Sequence, residues 1–117
     1  LDEGERRNKY MDPKFSINYQ EGVAKVELCG RLDATNAPLL QEEFKKLIGQ
    51  KIAHLVFLAK DLEYISSAGL RVMIFAKQKV GVDAHAYLIG AQEAVLSVIK
   101  MSGLDNFLTI QDTYNEQ

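Results

Sequence analysis

Cysteine and histidine are scarce: Cys29, His54 and His85 are the only ones among 117 residues. A lone cysteine cannot close an internal disulfide, and no secretory signal pattern opens the chain, so a reducing, cytoplasmic setting is expected. The two histidines lack ligand spacing with each other or with Cys29, which leaves a metal site unsupported and reads each as a strand residue. Cys29 itself, between an alternating strand and a glycine, reads as a small hydrophobe rather than a reactive thiol. No apolar run approaches the length of a membrane span, so membrane insertion is not expected. Net charge is −2, which provides no basic field for direct nucleic-acid binding. The glycine-rich nucleotide motifs Gly-x-Gly-x-x-Gly and Gly-x-x-x-x-Gly-Lys-Ser/Thr are missing, and Ser67-Ala68-Gly69 lacks the leading glycine of a nucleophile elbow. Asp33, Asp61 and Glu63 could assist Ser67, but no histidine lies nearby in sequence to complete a Ser-His-acid set. Ordinary enzyme signatures are therefore missing, and no cofactor is expected.

What is present is ordinary for one soluble domain: 47% hydrophobic and 26% charged residues, enough for a single core. Residues 1–10 read as a flexible leader or a remnant of expression, with Met11 as a natural start, and residues 11–117 as the domain.

Phe15, Ile17 and Tyr19 alternate with Ser16, Asn18 and Gln20 in a first strand. Glu21-Gly22 turns the chain, and Ala24, Val26 and Leu28 alternate in a second strand ending near Cys29-Gly30. Thr35 or Asn36 should cap the following helix, with Pro38 in its first turn. Leu40, Phe44, Leu47 and Ile48 line one side of it, and Gly49 stops it. The run from Ile52 to Ala59 is apolar on both faces apart from His54, as in a central strand. A helix crowded with apolar groups follows Ser66-Ser67, then a strand from Ala84 to Ile89, a helix from Ala91 to Ser102 stopped at Gly103, and a last strand from Phe107 to Ile110. The order is ββαβαβαβ: an α/β domain with a mixed, mostly parallel sheet.

The stretch Glu63-Tyr64-Ile65-Ser66-Ser67-Ala68-Gly69-Leu70-Arg71 is the strand-to-helix junction that carries most information. A serine there can cap the helix, because the first helical N–H groups lack partners within it. The same N–H groups and the positive end of the helix dipole also favour an anion such as a phosphate. The Asp33 loop follows a strand too, so the two can share the surface at the strands' carboxyl ends.

Gly30-Arg31-Leu32-Asp33-Ala34, Tyr64-Ile65-Ser66-Ser67-Ala68-Gly69-Leu70 and Met101-Ser102-Gly103-Leu104, at these separations, resemble the STAS domain family of bacterial anti-sigma factor antagonists and sulfate-transporter tails. The resemblance covers roughly residues 15–113. It implies a phosphoprotein that takes part in transcription regulation by partner switching: the unmodified domain binds a serine kinase that doubles as an anti-sigma factor, and phosphorylation of Ser67 releases it. Asp33, Ser66, Ser67, Ala68, Gly69 and Arg71 would form the partner-binding surface, and ATP and magnesium would belong to the kinase. A weak homodimer is the self-association such a domain would show. Two residues depart from the pattern: Ser66 stands where antagonists often carry aspartate, and Arg71 where many have glycine, placing a cation within one turn of Ser67. The alternative the resemblance leaves open is a STAS subunit that is never phosphorylated and serves as a scaffold of a transport or signalling complex. A third reading is a small-molecule binding domain, since loops at strand ends often form pockets.

Overall fold

The computed structural model describes residues 15–115. Along the chain run β1 (Phe15–Gln20), β2 (Val23–Leu32), α1 (Ala37–Lys45), β3 (His54–Ile65), α2 (Ser67–Phe75), β4 (His85–Ile89), α3 (Glu93–Ser102) and β5 (Thr109–Gln111), in the expected ββαβαβαβ order. The leader assigned to residues 1–10 lies outside the described residues.

The strands lie side by side in chain order, β1 antiparallel to β2 and every later neighbour parallel. Glu21 and Gly22, with φ of 50° and 82°, form the tight turn between β1 and β2. Because each crossover steps to the same side of the preceding strand and crossovers are right-handed, α1, α2 and α3 all pack on one face of the sheet. That face holds the core: Ala24, Val26 and Leu28 of β2, Leu55, Phe57 and Ala59 of β3, and Ala86 and Leu88 of β4 are buried there with Leu40, Phe44, Met73, Val95 and Ile99 from the helices. Phe44 and Phe57 meet edge-on, with ring centroids 6.3 Å apart, a geometry aromatic quadrupoles favour.

Three elements differ from expectation in ways that affect the site. The central strand does not stop at Ala59 but runs on to Ile65. Beyond Leu58, the last residue paired with β4, it pairs with β2 alone. There β3 twice inserts a residue against β2: Leu58 to Asp61 spans what Glu27 to Cys29 spans, and Leu62 to Tyr64 what Gly30 to Arg31 spans. These bulges put Ala59, Leu62 and Ile65, three apart, all on the core side, a spacing that hides a strand from any test of alternation. The first helix ends at Lys45 instead of reaching Gly49. Leu47 and Ile48 donate to carbonyls three residues back, tightening the turn and leaving Ile48 half exposed. Likewise Leu104–Phe107 is a 3₁₀ turn, so Phe107 faces solvent and the last strand begins only at Thr109.

Among the described residues no helix lies on the sheet's other face. The chain after β5 lies across it, and the Tyr114 ring packs edge-on against Tyr87 (5.0 Å) and His54 (6.2 Å).

Candidate functional site

Leu32 and Ile65 end β2 and β3 side by side, and the Ser66 amide donates to the Leu32 carbonyl at 2.9 Å. The start of α2 is thereby joined to the start of the Asp33 loop, which brings together the two segments that the sequence places at strand ends.

The loop is held by its own side chains. The Asp33 amide donates to Asn36 Oδ1 (2.9 Å), Asn36 Nδ2 donates back to the Arg31 carbonyl (2.7 Å), and the Thr35 amide donates to Asp33 Oδ1 (3.0 Å). Neither Thr35 nor Asn36 caps α1 with its side chain: Asn36 occupies the cap position, but its amide group is spent on the loop. Asp33 is therefore fixed through one carboxylate oxygen. Its other oxygen lies 3.7 Å from Arg31 Nε.

At the junction the two serines take different parts. Ser66 has extended backbone (φ −93°, ψ 176°), and its Oγ accepts from the Gly69 amide at 3.3 Å, while its carbonyl accepts the first helical bond, from Leu70. It is the N-cap, an arrangement typically worth about 1 kcal/mol. Ser67 is the first helical residue, exposed, and its hydroxyl has no hydrogen-bond partner among the described residues. No acidic residue stands in the first turn of α2, so the helix supplies no carboxylate of its own to the positive end of its dipole.

Gly69 is buried. A Cβ there would lie 2.8 Å from Ile65 Cγ1 and 2.9 Å from both Leu32 Cγ and the Leu32 carbonyl oxygen. Only a glycine lets α2 settle this closely on the ends of β2 and β3, so its part in the surface is to set the height at which Ser67 stands. Ala68 is half-buried against the core, and Arg71 is exposed, one turn after Ser67.

The Arg31 and Tyr64 side chains face each other on the opposite side of these strand ends, where Arg31 and Tyr64 are in register; the guanidinium lies 4.1 Å from the ring centre. Sequence reasoning missed this pair. The available signal is positional: each precedes the buried aliphatic residue that ends its strand.

A Ser67–histidine pair does not form. His54 begins β3 and Ser67 follows its far end; the stretch of β2 paired between those ends, Val23 to Leu32, already spans roughly 30 Å at the usual rise per residue. His54 and His85, unrelated by spacing, are instead directly opposite on β3 and β4, with centroids 6.4 Å apart. Tyr87 stacks on His85 at 4.8 Å and on His54 at 5.7 Å. Among the described residues no group of three or more histidines, cysteines or carboxylates could hold a metal ion, and no helix is long and apolar enough to cross a membrane.

The model of the STAS domain matches residues 14–117. The chain is similar to the anti-sigma-F factor antagonist RsfB of Mycobacterium tuberculosis, 22% identical over 95 residues that cover 81% of this chain and 78% of RsfB. Among solved structures it is similar to an anti-sigma factor antagonist from Mycobacterium paratuberculosis (TM-score 0.73, 22% identity, 85% of each chain covered). It is also similar to the Bacillus cell fate determinant SpoIIAA in its phosphorylated form (TM-score 0.66, 16% identity, 82% of this chain and 89% of that one). The sheet order, the packing of α1, α2 and α3 on one face and the match along almost the whole chain lead to one conclusion: the chain belongs to the STAS domain family.

Proposed function

We propose that this chain is an anti-sigma factor antagonist that works as a partner switch. Unmodified, it binds a serine kinase that is also an anti-sigma factor, through the Asp33 loop and the exposed start of α2. Phosphate on Ser67 dissolves that complex. The observation that carries the reading is the division of labour between the serines: Ser66 caps the helix, so the Ser67 hydroxyl is exposed and unengaged. A phosphoryl group there would add a charge of about −1.5 to −2 at the centre of the docking surface, while the helix dipole tolerates it. A tenfold loss of affinity needs only about 1.4 kcal/mol, less than a desolvated, unpaired phosphate typically costs. ATP and magnesium enter with the kinase, and the chain acts as its substrate in the cytoplasm. RsfB supports the general role through what it is named for.

The test is to incubate the protein with each serine kinase/anti-sigma factor of its source genome and ATP, and to weigh the intact chain. One phosphate is expected on the wild type and none on Ser67→Ala, with Ser67→Ala still bound to the kinase and Ser67→Asp released. Persistent phosphorylation of Ser67→Ala would overturn the assignment. A wild type that binds but never gains a phosphate would favour a scaffold role.

A further inference from the structure

We propose that Arg31 and Tyr64 form a second contact patch of this docking surface, one that receives an apolar side chain of the kinase/anti-sigma partner on the Tyr64 ring and a partner carboxylate on the Arg31 guanidinium. The inference rests on the partner-switch reading and adds two residues that the resemblance does not assign.

Tyr64 is 40% exposed, on the part of the sheet where β3 has run past β4. Of the large hydrophobic residues exposed among the described ones, it alone carries a cation on its ring. The others, Leu39, Ile48, Val82, Met101, Phe107 and Ile110, are aliphatic or lack a fixed polar neighbour of this kind. Tyrosine and arginine are the residue types in which interface energy concentrates, provided they are held in place beforehand. Both are held here. The guanidinium is stacked on the ring at 4.1 Å and faces the Asp33 carboxylate at 3.7 Å, and that carboxylate is fixed through its other oxygen by the Thr35 amide. These contacts bias the exposed Arg31 side chain toward one arrangement before a partner arrives.

The chemistry of the partner follows from what is left unsatisfied. At 3.7 Å the Arg31–Asp33 contact is too long for a hydrogen bond, and the Arg31 guanidinium makes none among the described residues. Its N–H groups are free for a carboxylate, which a planar fork binds with two bonds. The stacked ring offers an apolar face beside it. Through Asp33, whose Oδ2 lies 3.7 Å from Arg31 Nε, the patch is continuous with the loop, so one partner can cover both.

Isothermal titration against the purified serine kinase/anti-sigma factors of the source genome tests the proposal. Tyr64→Ala and Arg31→Ala should each weaken binding about tenfold or more, Tyr64→Phe should stay within about threefold, and Arg31→Lys should lose most of what Arg31→Ala loses. For phosphorylation of Ser67, KM should rise with kcat unchanged. Circular dichroism checks folding; if Tyr64→Ala melts early, Arg31→Glu, changed only on an exposed side chain, carries the same test. If the wild type binds and is phosphorylated while Tyr64→Ala and Arg31→Ala bind within twofold of it, this inference fails and the partner switch stands. A wild type that binds none of these kinases removes both.

Discussion

At its C-terminal end β3 delivers Ser66 and Ser67 into a junction of hydrogen-bonded loops; at its N-terminal end it delivers His54 into a stack of rings. Each end has a polar atom without a hydrogen-bond partner among the described residues. At the first it is the Ser67 hydroxyl, exposed. At the second it is His54 Nδ1, buried beneath Tyr114 and beside Tyr87. The two mean different things. An unpaired buried nitrogen is a cost carried by the fold, whereas an unpaired exposed hydroxyl at a helix start is a group that another protein can reach. The difference comes from the cap: because Ser66 satisfies the helix, Ser67 is not needed to.

Three changes sharpen or break that contrast. The largest effect is expected at Gly69. A methyl group there meets the Leu32 carbonyl, which is backbone and cannot swing aside, so Gly69→Ala should cost about 2 kcal/mol in spite of alanine's better helix propensity. Thermal unfolding should fall by roughly 10 °C. An unchanged midpoint would mean that α2 does not sit on the strand ends as described. Next come the two serines. Ser66→Ala should lose about 1 kcal/mol in denaturant unfolding, and Ser67→Ala should stay within about 0.5 kcal/mol of wild type. Equal losses would erase the division of labour. The smallest effect lies at the ring cluster. Burial, and then the neighbouring Tyr87, raise the Tyr114 phenol above its ordinary value of 10.0. The unfolded chain therefore releases this proton first, and stability present below pH 10 should decline as pH rises further. Tyr114→Phe should flatten that alkaline decline, as read from urea unfolding at a series of pH values. A decline unaltered in Tyr114→Phe would assign it elsewhere.

Much of this architecture is legible in local patterns. Alternation marks β1 and β2, the two-sided apolar run Leu55–Ala59 marks a strand inside the sheet, and Gly103, with φ of 83°, ends α3 where its position suggests. The Ser-Ser-Ala-Gly junction announces a capped helix, although which serine caps it depends on backbone geometry at Ser66. What stays hidden depends on pairing between distant segments. The bulges of β3 exist only relative to β2, and so they conceal the strand from Lys60 to Ile65. His54 and His85 meet through register alone, and Asn36 leaves α1 uncapped because the loop before it competes for the same side chain. Arg31 and Tyr64 belong to this second class as well.

The bond from the Ser66 amide to the Leu32 carbonyl has a kinetic consequence. It leaves no hinge between Asp33 and Ser67, whose spacing is set by the ends of two paired strands. In the partner-switch reading, the phosphate then lands on an unchanged backbone frame, so release waits on no rearrangement of this chain: the added charge and bulk act directly on the contact.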